Sequence, residues 1–124
     1  MSSQKKPLET IITIPGIVDG MNGENGLIRE NFHAAKKKKE KYAYMIRSQT
    51  RNRHPGKVSI CYIGYKSVLM DWDNFAASFK HIGDALVKTG VIKDDNPEIV
   101  RPFKIMQIKV PRKQQRVEII IKDL

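Results

Sequence analysis

The fold turns on "DWDNFAASFKHIGDALVKTG", residues 71–90. Phe75, Phe79, Ile82 and Leu86 recur at i, i+4, i+7 and i+11, the spacing that lines one face of an α-helix. Asp73 stands where an N-cap belongs and Gly90 where a helix stops in a left-handed residue. The segments on either side are of another kind. "KVSICYIGYKSVLM" (Lys57–Met70) is rich in β-branched and aromatic residues and reads as a strand with both faces largely covered. "FKIMQIKV" (Phe103–Val110) and "RVEIIIKD" (Arg116–Asp123) read as two strands joined by the basic loop "PRKQQR".

Upstream, "LETIITIPG" (Leu8–Gly16) reads as a strand closed by Pro-Gly. "IVDGMNGENG" (Ile17–Gly26) has no period, and residues 17–30 are expected to form a flexible loop. From Asn31 to Gln49 the pattern is helical, with Phe32, Ala35, Tyr42, Ala43 and Ile46 on one stripe. The order is β-α-β-α-β-β. The expected fold is α+β, residues 1–124 as a single small domain, with a mixed sheet and two main helices. A chain of 124 residues suits one core.

Composition narrows the class. Apolar residues make up 40% and charged residues 29%, the balance of a globular chain. No apolar run reaches the roughly 20 residues that span a bilayer, so no membrane partner is expected. Glu9 interrupts what would be the apolar core of an export signal, and a cytoplasmic protein is expected. Cys61 is the single cysteine, which excludes an intrachain disulfide and reads as a small buried side chain. His33, His54 and His81 have no ligand spacing, and no glycine-rich phosphate loop or nucleotide-cofactor motif is present.

With 23 Lys and Arg against 13 Asp and Glu, the formal charge is +10 and a polyanion is the natural partner. The charge is divided. Residues 29–57 carry ten basic and two acidic side chains, and residues 101–116 carry six basic and none acidic. Residues 71–95 hold five acids and three bases. Arg51, Arg53, Arg112, Lys113 and Arg116 are the candidate contacts to a nucleic-acid backbone, since loops conform to phosphates. The lysines of "KKKKEK" (Lys36–Lys41) are spread around a helix and serve a solvated face as readily as a ligand.

The acidic centre is the odd feature of a basic chain. If Met70–Asp73 is extended, period 2 turns Asp71 and Asp73 to one side and Trp72 to the other, where it reads as core. "DDNP" supplies Asp94 and Asp95 after the helix. Should these acids meet, they offer the oxygen ligands that Mg²⁺ prefers, and a bound cation would reverse the local repulsion of phosphate. Lys80, seven residues after Asp73, returns to the same face of a continuous helix and could hold a phosphate. Each residue also has a plainer account: Asp73 as N-cap, Asp94–Pro97 as a turn, and Lys80 as the i,i+4 partner of Asp84.

"DWDNF" followed by "KHIGDALVKTGVIKDD" resembles the RusA family of Holliday-junction resolvases, often carried by prophages. The specific likeness covers Asp71–Asp95, with a looser match in the opening strand, the loop after it and the last strand. The resemblance implies that Asp71, Asp73 and Asp95 bind Mg²⁺, with Mn²⁺ as an alternative ion, and that Lys80 is the essential lysine. Asn74 matches the motif's Asn, and Asp94 is a further helper. In the family the lysine lies closer to D-x-D, at a spacing that Ala77 holds here. The implied activity is magnesium-dependent endonucleolytic resolution of four-way DNA junctions by a homodimer, in recombination and repair. The alternatives are a basic protein that binds branched DNA without cutting it, and an RNA-binding protein.

Overall fold

In the computed structural model, residues 7–16 and 31–124 are described; the loop expected at 17–30 lies outside them. The elements are β1 (Glu9–Pro15), α1 (Phe32–Gln49), β2 (Val58–Lys66), α2 (Trp72–Ala77), α3 (Lys80–Lys88), β3 (Val100–Lys109) and β4 (Arg116–Asp123). A single 3₁₀ turn, Arg112–Gln114, stands between β3 and β4. The fold is α+β, with the order β-α-β-α-β-β expected from the sequence.

The four strands form one mixed sheet in the order β1-β4-β2-β3. β4 runs antiparallel to both β1 and β2, whereas β2 and β3 are parallel. A parallel pair needs a crossover, and α2 and α3 supply it. Register is set by burial. Ile12, Ile119 and Tyr62 align across β1, β4 and β2 with no exposed surface, and the Thr10–Ile121–Ile60 row beside them is buried too. Burying each large apolar side chain is worth about 1.5–3 kcal/mol. A slip of one residue would send all of them to the other face.

The helices cover that face only. Tyr42, Ala43 and Ile46 of α1 and Ile82, Ala85 and Leu86 of α3 join the strand residues in one core. On the opposite face, with Ile11, Ile120, Cys61, Met106 and Ile108, no helix of the described residues packs, and Ile11, Met106 and Ile108 are exposed. On this face of β2, Ile63 is buried and Ser59, Cys61 and Tyr65 are half-buried, so the strand is largely covered on both sides, as expected. Cys61 is half-buried rather than core, with Sγ 3.9 Å from Met106 Sδ.

Phe75 packs flat against the sheet, its ring stacked on Tyr62 at 4.9 Å. Gly64 makes this approach possible, since a Cβ there would lie 2.5 Å from the Phe75 ring. Phe32 does not belong to the apolar stripe of α1. It is 76% exposed, with an edge contact to His33 at 5.8 Å. Asn31 caps α1 by accepting from the Ala34 amide at 2.9 Å.

The helix expected as one piece from Asp73 to Gly90 is two. Ser78 and Phe79 close tight i→i−3 bonds to Phe75 and Ala76, and α3 starts again at Lys80. The Ser78 hydroxyl causes the pinch. It donates to the Phe75 carbonyl and meets the Tyr62 hydroxyl of β2 at 2.8 Å. A serine that bonds back to the preceding turn bends a helix, and here a buried tyrosine fixes it in place. Burial pushes the Tyr62 phenol well above its usual pKa, with the Ser78 bond opposing. Gly90 ends α3 at φ +81, as expected of a C′ glycine.

Candidate active site

The acid turn leaves β2 at Lys66 and enters α2 at Trp72. It is not a continuation of the strand. Asp71 occupies the N-cap position, at φ −59 and ψ 147, and Asp73 lies in the first turn of α2. The expected alternation of Asp71, Trp72 and Asp73 on an extended chain is therefore replaced by a cap and a helical turn. Both carboxylates are exposed. Asp71 makes no side-chain cap bond, and Asp73 accepts only from the amide of its neighbour Asn74, at 2.9 Å. The account of Asp73 as the N-cap fails, because the helix starts one residue before it.

Gln107 of β3 holds the turn in place. Its Oε1 accepts from the Met70 amide at 2.8 Å and its Nε2 donates to the Met70 carbonyl at 2.9 Å. Ser67 is held in the same way, with its amide and hydroxyl both donating to Gln115 Oε1 at 3.1 Å. Lys66, on the helix-covered face at the end of β2, is 4% exposed and stands 6.0 Å from the Phe75 ring centroid. The sequence reading missed all three. Lys66 could have been found, since it shares the parity of Ile60, Tyr62 and Gly64 on the buried face.

Trp72 is 55% exposed, with only an edge contact to Phe75 at 6.4 Å. The expectation that it fills the core is overturned, because its place in the first turn of α2 faces away from the sheet. Next to two exposed carboxylates it forms an aromatic surface open to solvent.

Asp95 follows α3, in the turn before β3. Its Oδ2 would be 3.4 Å from a Cβ on Gly83, and it lines a cavity of about 250 Å³ with Phe79, Pro97, Val100 and Phe103. Desolvation, a hydrogen bond with Asp94 and the field of Asp84 push its carboxyl above the usual range. Asp84 and Asp94 are the acids that raise it. Among the described residues, no three His, Cys, Asp or Glu side chains form a group that could hold a metal ion. Asp71 and Asp73 together still offer two exposed oxygen ligands, a number that Mg²⁺ commonly takes with water and phosphate completing its shell.

Lys80 opens α3 and is exposed. The two-turn spacing that placed it on the Asp73 face assumed an unbroken helix, and the Ser78 pinch removes that argument. It does not pair with Asp84, whose Oδ2 bonds instead to Lys39 of α1 at 3.1 Å. Of the basic candidates, Arg112 and Lys113 are exposed on the 3₁₀ turn. Arg116 is already engaged. Its guanidinium lies 3.9 Å from the Tyr65 ring centroid, meets Glu118 at 3.4 Å and donates to the Gln114 carbonyl at 2.8 Å. Arg51 and Arg53 line a cavity of about 420 Å³ at the other end of the molecule.

No protein-family model matches the chain, and no curated protein does. No helix among the described residues is long and apolar enough to cross a membrane.

Proposed function

We propose that the chain is a magnesium-dependent, structure-selective endodeoxyribonuclease that resolves four-way DNA junctions, acting as a homodimer. The observation that carries the reading is the pair Asp71 and Asp73. Two exposed carboxylates stand at one helix start in a chain of charge +10, and neither side chain makes a cap hydrogen bond. The two carboxylates repel each other and repel phosphate, and a cation bound between them removes the first repulsion and reverses the second.

Asp71 and Asp73 would hold the ion. When bound, it would supply an acidified water and neutralise charge at the leaving oxygen. The residues of the chain do the rest. Gln107 fixes the turn through Met70, the stack of Phe75 on Tyr62 fixes α2 on the sheet, and exposed Trp72 can meet a base at a branch point. Lys80 remains a candidate phosphate contact and Asn74 and Asp94 helpers. Asp95 would be the third ligand. The open sheet face, with Ile11, Met106 and Ile108 exposed, is the surface available to a second copy.

One observation favours a second reading, a basic protein that binds branched DNA without cutting it: among the described residues, no three His, Cys, Asp or Glu side chains form a group that could hold a metal ion. Incubating a synthetic four-way junction with the protein and Mg²⁺, beside linear duplex and flap controls, decides between them. Paired nicks in the junction alone support the nuclease. Junction binding without nicks supports the second reading.

A further inference from the structure

A basic cavity lies at the end of the sheet away from the acid turn. Arg47 of α1, Arg51 and Arg53 of the following loop, and Thr50, Asn52 and Thr89 line a space of about 420 Å³. No acidic side chain lines it. Among the described residues, none of the three guanidiniums forms an ion pair.

Two features show that the cavity is built rather than incidental. The Arg53 guanidinium lies directly over Gly90, where any Cβ would come within 2.7 Å of its Nη1. Gly90 therefore serves both the left-handed turn and the seating of the charge. The loop is also fixed from within. Asn52 Nδ2 donates to Thr10 Oγ1 at 3.0 Å, Thr10 meets buried His54 Nε2 at 2.8 Å, and His54 Nδ1 meets Asp123 at 2.7 Å. The His54 amide donates to the Val91 carbonyl at 2.8 Å, which ties the loop to the end of α3.

The arginines could serve only to offset the helix ends, since α1 and α3 both present carbonyl termini here. The magnitudes decide against that. Two helix C-termini amount to about one negative charge in total. Three guanidiniums leave a clear positive excess, and the planar fork of arginine suits phosphate oxygens in particular.

We infer that this cavity seats one backbone phosphate of a nucleic acid, as an anchor remote from the acid turn. β2 separates the two places, and its nine residues span roughly 26 Å at about 3.3 Å per step. The inference rests on the nucleic-acid side of the proposed function and not on cleavage. It also names a residue that the sequence did not suggest, Arg47.

The test is binding of a labelled four-way junction and a linear duplex, without divalent ions, as a function of salt. Wild-type protein is compared with Arg47→Gln/Arg53→Gln and with Arg47→Lys/Arg53→Lys. The glutamine variant is expected to weaken both DNAs roughly tenfold at moderate salt and to lower the log–log salt slope by about 1, the share of one phosphate. The lysine variant keeps the slope and loses part of the affinity. Should the glutamine pair fail to fold, Arg47→Gln alone, on an exposed helical turn, is expected to lower the slope in the same direction. An unchanged slope in the folded glutamine variants overturns the inference. So does binding of inorganic phosphate or a mononucleotide as tightly as an oligonucleotide, which would make this a site for a free phosphate. Loss of slope in a protein that never nicks DNA would leave the anchor standing and end the nuclease reading. Nicking with an unchanged slope would do the reverse.

Discussion

Gln107 and Met70, one on the edge strand β3 and the other 37 residues earlier in the acid turn, exchange both hydrogen bonds of a backbone pair, at 2.8 and 2.9 Å. The side chain of Gln107 imitates a neighbouring strand at the point where β2 has ended. It fixes the residue before Asp71, and so the direction in which α2 leaves the sheet.

Gln107→Ala removes both bonds and leaves the Met70 groups to water. Each bond is worth about 0.5–1.5 kcal/mol net, so a loss of about 1–3 kcal/mol in urea unfolding is expected. Junction nicking should fall by more than this loss of folded protein explains. Equal nicking per folded molecule would show that the turn does not need the clamp.

Gly64→Ala places a Cβ 2.5 Å from the Phe75 ring. Overpacking of this kind costs about 1–3 kcal/mol. Gly64→Ala with Phe75→Leu should recover part of the loss, and the double-mutant cycle measures the coupling. Additive losses would mean that the ring does not rest on Gly64.

Asp123 pairs with buried His54 at 2.7 Å, and that hydrogen bond, opposed by partial burial and helped by the Leu8 amide, holds its pKa below 3.8. A depressed carboxylate stabilises the fold above its unfolded pKa, and the contribution is lost as pH falls through the folded value. Wild-type protein should therefore lose stability steeply below about pH 4. Asp123→Asn should be less stable at pH 7 and show a shallower acid limb. An acid limb as steep as wild type would remove the pair from the account.

Asp95 has the opposite sign. Its folded pKa lies above 3.8, so its ionised form costs stability at neutral pH, and stability is regained as pH falls through the raised value. Asp95→Asn should raise Tm slightly at pH 7 without added metal, and the gain should vanish in acid. A lower Tm at pH 7 would show that the carboxylate is held by favourable contacts.

The elements were legible in the sequence because each carries local signals: β-branched residues in the strands, including the poorly alternating Lys57–Met70, and helical spacing in the helices. Ile12 and Ile14 alternate, Phe75 to Leu86 follow the helix, and Gly90 needs the left-handed region that glycine accepts. What depends on distant partners was not legible. Ser78 breaks the helix because Tyr62, 16 residues earlier, holds its hydroxyl, and nothing within 71–90 shows that partner. Thr10, His54 and Asp123 join one network from three separate segments. Asp71 and Asp73 were found as a pair, but the backbone that carries them proved to be a helix start, and so their alternation failed. Trp72 was misjudged for the same reason.

The most direct measurement is nicking of a four-way junction in Mg²⁺ by wild-type protein and by Asp73→Asn. Wild type should give paired nicks that disappear with EDTA. Asp73→Asn should lose at least 10²-fold in rate, in the range expected when charge stabilisation is removed, while binding the junction as tightly or more tightly. No nicking of any branched DNA by the wild type, or equal nicking by both proteins, would contradict the account.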